Sequence, residues 1–501
     1  MLRLTKLSLL FLVSGLLFIT PVSAAEDLGP RKMSPGLKEV ETKDSYFGPD
    51  PQYDDKPYSP EAQYKIYGGK RALRTPRPIF ELFRPLYSEG DYTNTSDAVG
   101  GTNLFEPQFT MFGDFRTAVA HNSNGENKDV TQIAARLNLN LDLKLTGTER
   151  IHATIQPIDS NGQFTRKEFG GADEDGTTTF LDLNLETLFF EGDVGSIVGG
   201  LAGEWSTFDL PFTFGLTPLL FQNGIYAEDA IVGGAASWAA KSSPSLGITN
   251  MDITGFFGID KVTSPAAKNA DGVLDDDDLA VFGLATFIEA NTGYWEANWG
   301  FVEGDSTFED IDYHTAMLAY SRRYGGWLSN SVRALYTFGQ DRDGSAQQTA
   351  DGFMLFAENS LITHLPSTLV PYFNFFYGQD RPQPLMDGTG LLKNTGISYE
   401  TDGLTGFPKL DDSGHDSFGG AIGIQYLFSL NRQVVFEIAS TQMLNGDDVP
   451  GRATVGDQYA LGARFQQPIS ATWIVRADAM VGRLQNTDDV AGMRFELRKK
   501  F

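Results

Sequence analysis

Apolar and polar residues alternate strictly along residues 136–159, RLNLNLDLKLTGTERIHATIQPID. Leucines occupy every second position from Leu137 to Leu145, and after a turn the alternation resumes from Ile151 to Ile155. A period of two is typical of a β-strand with one apolar and one polar face. The segment therefore predicts a β-hairpin, either in a soluble sheet with its leucines in a core or in a membrane barrel with its leucines against lipid.

Eighteen segments of the chain share this alternation. They lie at roughly 107–119, 130–145, 149–158, 179–191, 193–204, 229–240, 248–260, 279–290, 293–304, 313–324, 327–340, 351–362, 367–379, 416–430, 432–444, 454–467, 470–484 and 489–501. The connections between them alternate in length. Short turns are predicted at 191–193, 291–293, 324–326 and 467–470, and long polar loops at 159–178, 205–228, 261–278 and 380–415.

This alternation of short turns and long loops is the pattern of an outer-membrane barrel, and an even strand count places both chain ends on the short-turn side. Residues 107–501 are therefore predicted to form an all-β fold, a transmembrane antiparallel β-barrel of about 18 strands. Four of the six tryptophans lie next to the predicted short turns, at positions 238, 295, 327 and 473. An aromatic girdle at the membrane surface would place them there.

The first 106 residues lack this alternation. Residues 1–25 contain Arg3 and Lys6, an apolar run and a small-residue cleavage site, which is the pattern of a secretory signal peptide. Residues 26–106 predict a mostly irregular periplasmic extension that begins with a flexible tether at 26–60. Its basic segment, 64–84, is expected to dock at the periplasmic mouth or to plug it, or instead to contact anionic lipid or an envelope polymer.

Composition narrows the class of protein. The chain has no cysteine, which excludes a lipoprotein anchor, disulfides and thiolate metal sites. Removing the signal peptide, which holds two basic and no acidic residues, changes the net charge from −26 to −28. Nucleic acid is therefore not expected as a partner. After the signal peptide no apolar run is long enough for a transmembrane helix, so a membrane location requires strands.

The chain ends in GMRFELRKKF, where Met493, Phe495, Leu497 and Phe501 share one face of a strand and Lys499 interrupts that face. This ending resembles that of Gram-negative outer-membrane porins of the general or substrate-specific 18-stranded type. The resemblance implies a location in the cell outer membrane, with outer-membrane lipid and the barrel-assembly machinery as partners. It also implies that Phe495, Leu497 and Phe501 form the assembly signal, and it leaves a homotrimer open.

Eighteen strands leave an aqueous channel, and alternation predicts which charged side chains face it. The predicted lumen-facing charges are Asp114, Arg116, Arg136, Asp142, Asp182, Glu186, Asp252, Glu296, Arg323, Arg333, Glu358, Glu437, Arg464, Arg476, Asp478, Arg494, Glu496 and Arg498. They nearly balance, so we expect passage of small polar solutes or ions. Acidic loops at the outer mouth predict a weak preference for cations, although each lumen charge could instead belong to an ion pair that stiffens the wall.

The third predicted outer loop, 205–229, is unusually apolar. Such a loop must bury its apolar surface, and folding into the barrel would do so. The loop is therefore expected to constrict the pore, as the third loop does in general porins, although packing against another loop or a neighbouring protomer is the alternative. The predicted constriction residues are Phe208, Asp209, Leu210, Phe212, Phe214 and Gln222.

The sequence does not indicate catalysis. The five histidines are scattered, at positions 121, 152, 314, 364 and 415, and their spacing implies no catalytic pair. No cofactor or metal site is predicted, and the acidic stretch 270–278 is interpreted as a solvated loop rather than a calcium site. The predicted function is an outer-membrane diffusion channel. The alternatives are a barrel that exports a polymer or serves as an adhesin or enzyme scaffold, and a secreted soluble β-sandwich binding protein.

Overall fold

The computed structural model divides the chain into Met1–Gly69, which lies outside the described residues, and Lys70–Phe501. The described residues are 76–84, 86, 95–124, 129–160, 163–170, 176–268, 274, 278–342, 347–366, 368–400, 404–428, 432–444 and 456–501. The predicted signal peptide, the tether, and most of the basic segment 64–84 and of the acidic stretch 270–278 lie outside these residues.

Twenty-three β-strands and one α-helix, α1 (Val194–Ala202), occur in the described residues. The strands are β1 (Phe80–Leu82), β2 (Gln108–Asn124), β3 (Asp129–Lys144), β4 (Arg150–Ile155), β5 (Asp159–Ser160), β6 (Gln163–Gly170), β7 (Thr177–Thr178), β8 (Leu185–Asp193), β9 (Pro211–Phe221), β10 (Ala227–Ser243), β11 (Ile248–Asp260), β12 (Leu279–Ala290), β13 (Gly293–Gly304), β14 (Tyr313–Tyr324), β15 (Leu328–Phe338), β16 (Asp351–Leu361), β17 (Leu369–Arg381), β18 (Met386–Asp387), β19 (Ser417–Phe428), β20 (Arg432–Met443), β21 (Gln458–Pro468), β22 (Trp473–Leu484) and β23 (Val490–Lys500).

These strands form a closed antiparallel barrel whose wall has 18 strand positions. Each barrel strand pairs with the next along the chain, and β2 pairs with β23 from Asp114–Lys500 to Asn124–Val490, which closes the sheet. β4 and β6 share one position, because β3 pairs with β4 along one half and with β6 along the other. The predicted 18-stranded antiparallel barrel is confirmed.

The two faces of the wall have opposite character. On β20, Phe436 and Ile438 are each 63% exposed on the outer face, whereas Glu437 between them is 3% exposed on the inner face. A soluble sheet would bury the two apolar side chains and expose the acid. The outer face therefore suits lipid and the inner face a polar lumen. No helix among the described residues is long and apolar enough to cross a membrane.

The structure corrects the predicted fifth strand at 193–204, because helix α1 occupies this segment. Asp193 caps the helix by accepting a hydrogen bond from the Ser196 amide at 2.6 Å, and Gly203 ends it in the left-handed region at φ 72°. The helix also needs glycine at position 200, where a β-carbon would lie 2.5 Å from the Val99 carbonyl oxygen. Local capping and close packing therefore override a weak alternation.

Two predicted connections change with this strand. The turn at 191–193 is wrong, because residues 194–210, including α1, connect β8 to β9 at the short-turn end. The outer loop at 205–229 is also wrong, because residues 211–221 form β9 and only residues 222–226 connect β9 to β10. Both faces of β9 therefore take up apolar side chains. Phe214 and Leu220 are exposed on the outer face, whereas Leu219 and Phe221 pack into the core inside the barrel.

Part of the N-terminal extension joins the barrel at the short-turn end. β1 pairs with β2, from Phe80–Met111 to Leu82–Phe109, where β2 extends beyond the end of β23. The carbonyl of Phe501 accepts a hydrogen bond from the Gly113 amide at 2.8 Å, next to this pairing. β1 thus continues the wall below the last strand, and Arg84 pairs with Glu106 at 3.0 Å beside it.

Candidate functional site: the barrel lumen

Six arginines face the lumen on five neighbouring strands, and we call this set the arginine arc. Its members are Arg464 on β21, Arg476 on β22, Arg494 and Arg498 on β23, Arg116 on β2 and Arg136 on β3. They share one face because β-strand side chains alternate and these strands pair in register.

Asp478 on β22 is the acid at the centre of the arginine arc. Its carboxylate lies 2.7 Å from Nε of Arg464, 2.9 Å from Nε of Arg476 and 2.8 Å from Nη2 of Arg494. Its side chain is 5% exposed. Three cations on three strands therefore converge on one carboxylate, which offsets their mutual repulsion.

Further acids accompany the rest of the arc. Arg498 lies 2.9 Å from Glu496, and Arg116 lies 2.7 Å from Asp114. Arg136 lies 3.7 Å from Asp159, which belongs to the short strand β5. The wall is thus densely charged but locally balanced, so a polar solute meets donors and acceptors side by side.

The other predicted lumen charges lie on the inner face, except Asp182, which is exposed in the connection between β7 and β8. Across the lumen, Arg333 on β15 pairs with Glu358 on β16, and its Nε donates to Oε1 of Gln222 at 3.2 Å. Most remaining members form hydrogen bonds: Asp142 with Arg150, Asp182 with Ser160, Glu186 with Asn184, Asp252 with the Ala240 amide, and Glu437 with Tyr372. Glu296 and Arg323 lie on the inner faces of β13 and β14.

Residues 382–400 and 404–416 belong to one long loop that folds into the lumen, and we call this loop the crossing loop. It leaves β17 and returns at β19, and its ends meet where the Asp380 amide donates to Asp416 at 2.8 Å. Its apolar side chains are buried inside the barrel: Leu385, Met386, Leu391 and Leu392 are each at most 2% exposed. The loop therefore has a packed core of its own against the inner wall.

The first part of the crossing loop docks on one side of the lumen. β18 pairs in parallel with the start of β10, matching Met386 with Ala227 and Asp387 with Glu228. Tyr313 and Thr337 donate hydroxyl hydrogen bonds to the carbonyls of Leu385 and Gln383 at 3.1 and 3.0 Å. These bonds satisfy loop carbonyls that water would otherwise solvate.

The second part of the crossing loop reaches the other side. Oε2 and Oε1 of Glu437 accept hydrogen bonds from the Ile397 and Ser398 amides at 2.9 and 2.8 Å. Tyr399 donates from its hydroxyl to the Ser440 carbonyl at 2.9 Å. On β2, Asn122 donates to the Thr405 carbonyl at 2.7 Å.

The crossing loop also contacts the arginine arc. Glu400 accepts a hydrogen bond from Arg464 at 2.8 Å, and the guanidinium of Arg494 lies 5.9 Å from the centre of the Phe407 ring. The loop therefore spans the lumen between the β10 side and the arc, and it narrows the passage beside the arc.

A charged cluster holds the base of the crossing loop. Lys393 Nζ lies 2.6 Å from both Asp387 and Glu228, and Asp387 is 2% exposed. Burial raises the pKa of the Asp387 carboxyl to about 6, although Lys393 acts in the opposite direction. Burial lowers the pKa of Lys393, but the carboxylates of Asp387 and Glu228 outweigh it and the net shift is upward.

This cluster predicts a pH dependence of loop docking. Because the pKa of Asp387 is raised in the docked loop, docking takes up a proton as pH falls from about 6 towards the ordinary value of an aspartate, and docking becomes more stable across that window. The buried amide of Asp387, which donates to the Thr263 carbonyl at 2.9 Å, should then show stronger protection from hydrogen exchange at pH 5 than at pH 7, after correction for intrinsic exchange. In Asp387→Asn this difference should shrink, and an unchanged difference would assign it to the neighbouring Asp229.

The structure separates the predicted constriction residues. Phe208, Asp209 and Leu210 lie in the connection at the short-turn end, whereas Phe212 and Phe214 lie on the outer face of β9, where Phe214 is 62% exposed. Gln222 is placed inside the lumen, 5% exposed, beside Arg333. The structure thus brings Gln222 to the lumen and places the other five residues elsewhere.

The alternation predicts only a long polar loop at 380–415, so the position of the crossing loop in the lumen does not follow from it. A local signal is nevertheless present, because the stretch PLMDGTGLLKNTGISYE at 384–400 contains Leu385, Met386, Leu391 and Leu392. Apolar residues at this density in a loop indicate burial. No group of three or more potential metal ligands occurs among the residues that the structure describes.

No protein-family model matches the chain, and no curated protein sequence matches it. Among solved structures, Pseudomonas aeruginosa OccK7 (OpdD) is similar, with a TM-score of 0.51 and 8% identity over 78% of this chain and 99% of that chain. OccK9 (OpdG) and OccK3 (OpdO) of the same organism each have 13% identity over 78% of this chain, with TM-scores of 0.49 and 0.48 and coverage of 98% and 95% of their own chains. The similarity to OccK7 shows that the chain shares the fold of this protein, a closed 18-stranded antiparallel barrel.

Proposed function

We propose that this protein is an outer-membrane diffusion channel for small polar solutes or ions, with a weak preference for cations. The observation that carries the proposal is a charged lumen wall, the arginine arc with its acids, beside a loop that crosses the barrel. An apolar outer face suits the membrane and a charged inner face suits water-filled passage. In this arrangement the short-turn end, where β1 and Phe501 lie, faces the periplasm.

Single-channel recording in planar bilayers tests the proposal. Purified protein should give discrete conductance steps that scale with salt concentration. An adhesin or enzyme scaffold should be nearly silent, and a polymer exporter should conduct only when its polymer is added or its gate is removed. Silence of the folded barrel in all salts would overturn the channel proposal.

The proposed cation preference rests on charge distribution. Five acids pair with the six arginines of the arc, so the arc is nearly neutral, and the chain as a whole carries a net charge of −26. The connection between β11 and β12 contains the acidic sequence 275–278, so the outer entrance should have a negative potential that salt screens. Reversal potentials across a salt gradient should therefore show weak cation selectivity that fades at high salt. Anion selectivity would mean that the arginines dominate the electrostatic potential in the narrow part of the channel.

The channel is proposed to be non-catalytic. Its proposed partners are outer-membrane lipid, small polar solutes and the barrel-assembly machinery. Phe495 is 52% exposed on the outer face of β23, and Leu497 lies on the same side two residues later. We propose that these residues and Phe501 form the signal for assembly, and that the outer wall also permits a homotrimer. The order of signal peptide, extension 26–106 and barrel 107–501 is part of the same proposal.

A further inference from the structure

Lys499 places a positive charge on the outer face of the last strand, where the preceding residues are apolar. Its Nζ lies 5.0 Å from the centre of the Trp473 ring and donates a hydrogen bond to the Thr472 hydroxyl at 2.8 Å. Lys499 pairs with Phe115 on one side of the ladder and Trp473 on the other. The lysine is therefore set on an aromatic surface at the short-turn end of the outer wall.

The same arrangement recurs around this end of the barrel. On β10, Lys241 Nζ lies 5.4 Å from the Trp238 ring centre, and on β14 the guanidinium of Arg322 lies 5.3 Å from that of Tyr324. A backbone irregularity at Ala240, with φ 54°, keeps Lys241 on the same face as Trp238 three residues earlier. Without that irregularity, strand alternation would turn Lys241 towards the lumen.

A fourth cation completes the set. Arg432 begins β20 and lies opposite Phe428 in the ladder with β19. We call Lys241, Arg322, Arg432 and Lys499 the rim cations. Their cross-strand neighbours are neutral, such as Met251 beside Lys241 and Asn330 beside Arg322. Ion pairing with these cross-strand neighbours therefore does not explain why the cations lie here.

We propose that the rim cations form a binding surface for anionic phospholipid headgroups in the periplasmic leaflet. Aromatic rings sit at the level of the headgroups, and a cation on a ring can extend its charge to a phosphate while its stem packs on the ring. Four outward cations at one rim are complementary to the negative charge of these headgroups. This inference rests on the proposed membrane location.

Nanodiscs test the proposed surface with the full-length mature protein. One set contains phosphatidylcholine alone, and the other an equimolar mixture of phosphatidylcholine and phosphatidylglycerol. Native mass spectrometry after partial delipidation then measures which lipid is retained. The wild-type barrel should retain phosphatidylglycerol preferentially, and each rim substitution, such as Lys499→Gln, should reduce that preference roughly fivefold.

Lys167→Gln is the matched control. Lys167 Nζ lies 5.1 Å from the Phe169 ring centre on the outer face, but β6 pairs with the opposite end of β3. This variant should retain phosphatidylglycerol as the wild type does, and Lys499→Arg should also keep the preference. Equal loss in Lys167→Gln, or no preference in the wild type, would overturn the inference.

Folding and function are separated from lipid preference by two further readings. Heat-modifiable migration on gels shows whether each variant forms a barrel, and conductance shows whether it still conducts. A barrel that enters nanodiscs and conducts without lipid preference overturns only the rim surface. Failure of the wild type to enter nanodiscs at all would overturn the proposed membrane location instead.

Discussion

Replacing residues 382–415 with a short Gly-Ser linker will raise the single-channel conductance severalfold. The crossing loop buries its apolar residues in the lumen and contacts both sides of the barrel. Its removal should therefore widen the narrowest part of the channel. The linker is compatible with the fold because the loop ends already meet at Asp380 and Asp416, where the Asp416 amide donates to the Asp380 carbonyl at 3.1 Å. Planar-bilayer recording measures the effect, and heat-modifiable migration establishes that the barrel has formed.

A single substitution tests whether the anchoring of the crossing loop matters, as distinct from the volume that the loop fills. Tyr399→Phe removes a hydroxyl that joins the crossing loop to the Ser440 carbonyl at 2.9 Å. It should increase current fluctuations between low and high conductance, because one loop anchor is lost. Tyr459→Phe is the control, since the Tyr459 hydroxyl donates to Gln442 at 3.1 Å between two wall strands.

An unchanged conductance in the loop-replacement variant would place the constriction elsewhere, with the N-terminal segment as the next candidate.

Asp478→Asn will shift ion selectivity towards anions and destabilise the barrel. The substitution leaves Arg464, Arg476 and Arg494 facing each other without their shared carboxylate, and the asparagine amide cannot balance their charge. Removing one partner of a buried ion pair typically costs about 3–5 kcal/mol. Reversal potentials measure the selectivity, and the temperature at which the folded band disappears on gels measures the stability.

Asp488→Asn provides the matched comparison for this charge. Asp488 is an exposed residue in the connection after β22, so the variant loses the same formal charge outside the arginine arc. It should change selectivity much less at high salt, where exposed charges are screened, and should leave stability nearly unchanged. Equal shifts in the two variants would mean that the mouth, rather than the arc, decides selectivity.

The strands were predictable because their signal is local. The side chains of residues 436–438 alternate apolar, acidic and apolar, and any strand must send the outer two to one side and the middle one to the other. The sorting of short and long connections then indicated a barrel with both ends on one side. The same rule predicted the inner position of Asp478, although not that three arginines would share it.

The segment 193–221 was mispredicted for a related reason. Its apolar side chains need burial, but burial in lipid, in a lumen or in a helix interface satisfies that need equally well. The capping side chain of Asp193 and the contact of Gly200 with the Val99 carbonyl decide in favour of α1. That contact joins residues about a hundred positions apart, and no local pattern contains it.

The sequence by itself determined the strand period, the closed barrel and the polarity of its two faces, because these follow from neighbouring residues and from the solvent on each side. Tertiary structure alone decided which loop enters the lumen, how the arginine arc is balanced and where the N-terminal segment attaches. Each of these depends on hydrogen bonds between distant parts of the chain, such as Asn122 with Thr405 and Glu437 with Ser398. Such bonds form only once the closed wall has brought both partners into one lumen.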